Sequence, residues 1–215
     1  MTKVKKVLIL VAFALIATYS QAQVAWGLRA GLGYTTSHST AGVNTKGNVS
    51  YEIGPTVYYS LSEKIYLNSG LNLSVKRFGD SNDTNGQLIE ETGMSSTITY
   101  TSLELPVNLG TRFTLGSVSL YAQAGPFLGV KLGESIAGYS NFDYLSRLNY
   151  GLGAAVGIDI KKFKIELGYQ YGLANIMSDK LWEAFYGSDW EDYFDMDSNP
   201  KVNLNTLFLG VSYVF

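Results

Sequence analysis

The residues best suited to catalysis are a histidine, a serine and an aspartate in polar segments. His38 is the only histidine of the chain, and Asp80 is followed directly by Ser81. If a fold brought the three together, they could act as general base, nucleophile and orienting group. His38 lies among serines and threonines in a predicted loop, so a solvated side chain is the simpler interpretation. Nucleophilic catalysis at an outer surface is the alternative.

A second candidate is the segment between residues 175 and 201, where carboxylates are interleaved with aromatic side chains. Carboxylates can bind Ca²⁺, and exposed aromatics can stack on sugars or anchor a protein partner. Asp195-x-Asp197-x-Asn199 lacks the glycine and distal glutamate of a calcium loop, so neither a metal nor a cofactor is predicted. A short amphipathic helix with packed aromatics is the simpler alternative. The candidate contact residues are Trp182, Asp189, Trp190, Glu191, Asp192, Asp195 and Asp197.

Eight segments with the alternation of a β-strand could position these groups. In each segment, large apolar residues alternate with small or polar ones, which gives a strand two different faces. The last segment, for example, places Leu207, Leu209 and Val211 on one face and Phe208 and Gly210 on the other. The segments cover residues 26–34, 51–61, 65–76, 103–112, 118–131, 148–160, 163–173 and 203–215.

The glycines indicate which face points inward. Every glycine within these segments lies on the polar face, so the polar face is the crowded one. The interior of an eight-stranded barrel is only wide enough for side chains to fill it, and small residues belong there. The apolar side chains therefore point outward, and a continuous apolar outer surface requires lipid. A water-soluble calyx would have the opposite arrangement.

The connections support the same interpretation. Short turns near 62–63, 114–117 and 161–162 alternate with long segments at 35–49, 79–96, 132–144 and 174–201. Short periplasmic turns and long external loops are typical of outer-membrane barrels, which have an even number of strands. The sequence thus predicts an all-β fold, an eight-stranded antiparallel up-and-down transmembrane β-barrel in the outer membrane.

The N-terminus predicts export. Three lysines precede an apolar run from residue 7 to residue 17, and Ser20-Gln21-Ala22 resembles a cleavage site. The run is shorter than the roughly 20 residues that a membrane-spanning helix needs. Residues 1–22 are therefore predicted to be a signal peptide and residues 23–215 the barrel domain. Cysteine is absent, which excludes disulfides and thiol chemistry, and the net charge of −2 does not indicate a nucleic-acid partner.

Three runs resemble a known family. They are Leu103-Glu104-Leu105-Pro106, Gly125-Pro126-Phe127-Leu128-Gly129 and Tyr171-Gly172-Leu173-Ala174-Asn175-Ile176, and they resemble the fourth, fifth and seventh strands of PorT-like outer-membrane β-barrels of Bacteroidetes. The architecture is also similar to the OmpX and OmpA barrels. The family resemblance implies an outer-membrane location but no defined activity. His38 is placed similarly to a histidine of lipid A palmitoyltransferase, although the interior predicted here is filled rather than hollowed for an acyl chain.

The predicted interior carries both signs of charge. The inward-facing charged residues are Arg29, Glu52, Lys76, Glu104, Arg112, Lys131, Asp159, Lys164 and Glu166. Charges away from bulk water need partners, so a salt-bridge network that fills the lumen is the favoured interpretation. A conduction path or proton relay is the alternative, because ionisable groups at membrane depth are often functional.

These patterns predict a non-enzymatic protein with a filled lumen that acts through external loops or supports membrane integrity. A narrow channel or secretion-associated barrel is one alternative, and a lipid A-modifying enzyme that uses His38 is another. The expected partners are outer-membrane lipid or lipopolysaccharide and the barrel-assembly machinery, which would read the last strand ending in Phe215. The external loops leave room for a surface ligand, which the sequence does not name.

Overall fold

The computed structural model describes residues 24–39, 45–79, 97–136, 144–177 and 201–215. All of its regular elements in these ranges are β-strands. They are β1 (Val24–Ser39), β2 (Thr45–Ser60), β3 (Ile65–Gly70), β4 (Asn72–Phe78), β5 (Ile98–Leu115), β6 (Val118–Ile136), β7 (Leu148–Ile160), β8 (Phe163–Gly172) and β9 (Val202–Val214). Within these ranges, no helix is long and apolar enough to cross a bilayer. The predicted signal peptide, residues 1–22, lies outside the described residues.

The strands form a closed antiparallel ring. β3 and β4 are two halves of one strand that is interrupted at Leu71, whose backbone N–H donates to the Pro55 carbonyl at 3.0 Å. Counted this way, eight strands follow one another around the ring, and β1 pairs with both β2 and β9. The predicted eight-stranded up-and-down barrel is confirmed.

The two faces of the wall are oriented as the glycine pattern predicts. Outward side chains such as Leu32, Leu105 and Leu167 are 64%, 44% and 52% exposed. Inward side chains such as Tyr66 and Glu104 are 0% and 1% exposed. A water-soluble calyx would bury the first set and expose the second, so the structure excludes it.

Glycine permits close approach inside the ring. A Cβ atom at Gly125 would lie 2.8 Å from the Asn108 Cα atom and 2.9 Å from the Val107 carbonyl carbon. Both distances are shorter than real Cβ contacts, and the opposing atoms belong to the backbone. A side chain at position 125 would therefore clash with the backbone of β5.

The strands extend further than the alternation predicts. The predicted long loop at 35–49 consists largely of β1 and β2, so the prediction that His38 lies in a loop was wrong: it pairs with Asn203 on β9. β5 likewise begins at Ile98, and β6 continues to Ile136. The part of a strand that extends beyond the lipid-facing band contacts water, so its outward side chains can be polar. Without apolar residues on one face, the sequence of that part shows no alternation of apolar and polar residues.

Adding a side chain at Gly125 should destabilise the barrel, whereas the same change at Gly133 on the same strand should not. Gly125→Val should lower the free energy of unfolding by about 1–3 kcal/mol, because overpacking shifts backbone. A Cβ at Gly133 meets nothing within 4 Å. Urea unfolding in detergent micelles measures the difference. Equal stability of the two variants would show that the backbones of β5 and β6 are not closely packed at Gly125.

Candidate functional site: the barrel interior

The long-loop end of the lumen is closed by an apolar cap. Its members point inward from β4, β5 and β9 and from the segments beside β7 and β8, and each is at most 8% exposed. They are Phe78, Tyr100, Leu145, Ile176, Val202 and Leu204. An apolar cluster at this position separates the interior below it from the external side.

An ion pair fixes the cap in place. Lys131 Nζ lies 2.6 Å from Glu134 Oε2 and donates to the Leu145 carbonyl at 2.5 Å. Glu134 accepts from the backbone N–H groups of Tyr144 and Leu145 at 2.7 and 3.1 Å. Because both charges bind the backbone of residues 144–145, they hold Leu145 across the mouth of the barrel.

Below the cap lies a second buried pair. Lys76 Nζ is 2.7 Å from Glu104 Oε1, and both side chains are almost fully buried. Lys76 also donates to Gln170 Oε1 at 2.9 Å, and its ammonium lies 5.0 Å from the centre of the Phe127 ring. The positive charge is thus compensated by a carboxylate, an amide oxygen and a ring face.

The middle of the barrel contains an arginine between two glutamates. Arg29 forms ion pairs with Glu52 at 2.7 Å and with Glu166 on the opposite side. Glu166 also accepts hydrogen bonds from Tyr121 Oη and Gln123 Nε2, each at 3.0 Å. This network links β1, β2, β6 and β8 across the lumen.

The short-turn end is closed by a lysine within aromatic rings. Lys164 forms an ion pair with Asp159, and its ammonium lies 4.9, 5.5 and 4.1 Å from the ring centres of Tyr58, Tyr66 and Tyr121. Such distances are within the range of cation–π attraction. These four buried side chains occupy the cross-section of the barrel, and we call them the tyrosine cage.

The side chains of the nine charged residues predicted to be inside are buried or partly buried. Their ion pairs form separate clusters at different levels of the barrel. Arg112 differs from the rest: its guanidinium lies 4.9 Å from the Tyr66 ring centre, and its Nε has no hydrogen-bond partner among the described residues. Sequence reasoning missed Glu134, because it fell in a segment predicted as loop. On β5 the alternation of buried side chains continues from Glu104 through Ser102 to Tyr100. Extending the predicted strand to these residues would have identified the buried side chains near the external end. With Glu134, five inward positive charges face five negative charges in the described strands.

The interior has little free volume. Two small cavities among the described residues have volumes of about 30 and 10 Å³, and the larger is lined by Arg29, Glu52, Asn72 and Gln123 among others. Sites for small molecules are typically roughly 300–1,000 Å³. Both cavities are therefore far too small for a solute.

The loop candidates are less well defined. His38 is exposed on β1 near the external end, while Asp80 and Ser81 lie outside the described residues. The acidic and aromatic contact candidates at 182–197 also lie outside them. In the described ranges, no group of three or more histidines and carboxylates is arranged to hold a metal ion.

Comparison with known families identifies the class. A family model described as "Outer membrane protein beta-barrel domain" matches residues 19–178. The chain belongs to this family. Its strands therefore cross the outer membrane, and the apolar outer face contacts lipid.

Three solved structures are similar to this chain. Neisserial surface protein A is 13% identical, with a TM-score of 0.51 over 88% of this chain and 97% of that one. OprG from Pseudomonas aeruginosa is 14% identical, with a TM-score of 0.49 over 90% and 97%. Ail of Yersinia pestis is 17% identical, with a TM-score of 0.42 over 90% and 99%. Only Neisserial surface protein A, whose TM-score exceeds 0.5, supports the fold, and at such low identity none of the three transfers a function. No curated protein matches the chain.

Breaking the Lys76–Glu104 pair should cost more than neutralising both partners. Lys76→Met should lower the free energy of unfolding by about 3–5 kcal/mol, because it leaves Glu104 buried and unpaired. The double variant Lys76→Met/Glu104→Gln removes the orphaned charge and should recover most of that loss. Urea titration in micelles measures both. A double variant as unstable as the single one would contradict the role assigned to the pair.

Proposed function

We propose that this chain is a non-enzymatic outer-membrane barrel that acts through its external loops at the cell surface, and not as a pore. The observation that carries the proposal is the filled interior, with cavities of only about 30 and 10 Å³ between the apolar cap and the tyrosine cage. A barrel without a path for solutes can still present loops on a rigid support.

The base of the last long loop is well anchored, which suits a binding segment. The Ile176 N–H donates to the Val202 carbonyl at 2.9 Å. The Asn175 side-chain oxygen accepts from the N–H groups of Met177 and Val202 at 3.2 and 3.0 Å. The described residues that flank this loop, 175–177 and 202, are therefore held together beside the apolar cap. The contact residues that we assign to this loop are the tryptophans and carboxylates between 182 and 197.

The same proposal includes the family subgroup, the export signal and the partners of the barrel. The sequence runs on β5, β6 and β8 support membership of the PorT-like group, without its founding member's role in secretion. Residues 1–22 act as an export signal. Lipopolysaccharide surrounds the outer end, and the assembly machinery reads β9 together with Phe215, which directly follows it. The exposure of Phe215, 73%, and its N–H bond to the Trp26 carbonyl at 2.9 Å support this last assignment.

Replacing residues 179–199 by a short glycine-serine linker should abolish surface binding and leave the barrel folded. Adherence of cells that display each variant is measured on immobilised polysaccharides and matrix proteins, and should fall by about tenfold or more if hot-spot aromatics are lost. A heat-shift gel verifies the fold. Trp182→Ser/Trp190→Ser, which keeps the carboxylates, separates aromatic from acidic contacts. Full adherence by the linker variant would contradict the proposal.

A further inference from the structure

Arg112 is the inward cation that has no carboxylate partner among the described residues. Its guanidinium stacks on the Tyr66 ring, 4.9 Å from the ring centre, and its Nε has no hydrogen-bond partner in the described part of the chain. A guanidinium has five N–H donors in a planar fork, so this side chain keeps the capacity to bind an acceptor from outside the chain. The other inward cations all form ion pairs with carboxylates: Arg29, Lys76, Lys131 and Lys164.

Arg112 lies inside the wall, near the end of the barrel that carries the short turns. It is three residues from the end of β5 and is partly exposed. The alternate residues Phe113 and Leu115 are 60% and 55% exposed and point outward to lipid. The short turns of outer-membrane barrels face the periplasm. Since lipid head groups lie outside the wall, the Arg112 side chain is open to soluble molecules of the periplasm.

Two hydroxyl groups and a second cation lie in the same sector of the barrel mouth, formed by β5, β6 and the turn before β3. Thr114 is on the same face of β5 as Arg112, and its Oγ1 is 2.9 Å from the Ser119 Oγ on β6. One hydroxyl proton is used between the two, which leaves the other to donate to a ligand. The Lys64 carbonyl accepts the Arg112 N–H at 2.8 Å, so Lys64 is beside Arg112. The lysines of the turn at 161–162 lie between β7 and β8, outside this sector.

The charge of this sector indicates which anion fits it. Arg112 and Lys64 are positive, and Glu63 in the turn beside them is negative, which leaves one positive charge in excess. The nearby Asp159 is compensated by its ion pair with Lys164. A carboxylate carries a single negative charge, and its two oxygens match the planar fork of a guanidinium. A doubly charged phosphate would leave one negative charge uncompensated.

We propose that Arg112 binds the free carboxylate of a soluble periplasmic peptide at the barrel mouth. Lys64 adds a second positive charge, and the hydroxyl pair of Thr114 and Ser119 supplies a further donor. Stacking on Tyr66 fixes the plane of the guanidinium. Because the tyrosine cage occupies the cross-section of the barrel, the site accepts the carboxylate group but not a chain that passes through the lumen.

The chain has four arginines, which makes a direct spectroscopic test practical. The barrel is labelled with ¹⁵N-arginine in dodecylmaltoside micelles, where each Nε–H group gives one NMR signal, and Arg112→Gln identifies the signal of interest. N-acetyl-alanylalanine with its free carboxylate should move the Arg112 signal, because an acceptor then binds its guanidinium. The signals of Arg29, Arg77 and Arg147 should not move. The C-terminal amide of the same dipeptide, which is neutral, should move none of the four.

Matched variants measure the contribution of each donor, with the acetyl methyl signal of the dipeptide as the readout of affinity. Arg112→Gln should weaken binding about tenfold or more, because charge-assisted hydrogen bonds are lost. Arg112→Lys keeps the charge but lacks the planar fork, so it should recover only part of that loss. Arg147→Gln removes the same charge near the external end and should remain within about twofold of the wild type. Heat-shift gels verify that each barrel is folded.

Three results would overturn the proposal. One is an Arg112 signal that does not move up to the solubility limit of the dipeptide. Another is an equal movement with the amide, since that would exclude recognition of the carboxylate. The third is tighter binding of inorganic phosphate than of the dipeptide, which would assign the site to a different anion.

Discussion

The structure depends on the requirement that no backbone polar group remain unpaired in hydrocarbon. Pairing of β1 with β9 meets it by closing the ring, so no strand edge faces lipid within the described residues. Closure with eight strands also makes the interior narrow. Glycine is needed where backbones approach closely, as at Gly125, and the bulky apolar side chains are directed outward. The glycine pattern, the apolar wall and the filled lumen all follow from this one constraint.

A narrow interior that holds charges must pair them, and the barrel does so in layers. The two ends of the lumen are closed by different means. At the external end, the Lys131–Glu134 pair holds Leu145 in an apolar cap, and at the periplasmic end Lys164 is surrounded by tyrosine rings. Both ends of the described lumen are closed, and the cavities of about 30 and 10 Å³ between them are too small for a solute. For this reason we assign recognition, in our proposal, to the external loops.

The features that could be predicted from the sequence are those that follow the two-residue period of a β-strand. Alternation and glycine position were sufficient for the strand number, the direction of each face and the inward charges. The strand ends were predicted less well, because beyond the apolar band β1 and β6 keep their pairing without an apolar face, which concealed Glu134 and misplaced His38. Pairing partners could not be read at all: Arg29 and Glu166 are 137 residues apart and meet only after closure.

Conductance in planar bilayers tests the central claim, that closure with eight strands leaves an interior filled by side chains. The purified wild-type barrel should show no steady conductance. A variant hollowed at both ends, with Tyr66→Ala and Tyr121→Ala in the tyrosine cage and Phe78→Ala and Tyr100→Ala in the apolar cap, should admit ions more readily and verifies that inserted barrels are detected. Steady open-channel conductance of the wild-type protein would contradict the account.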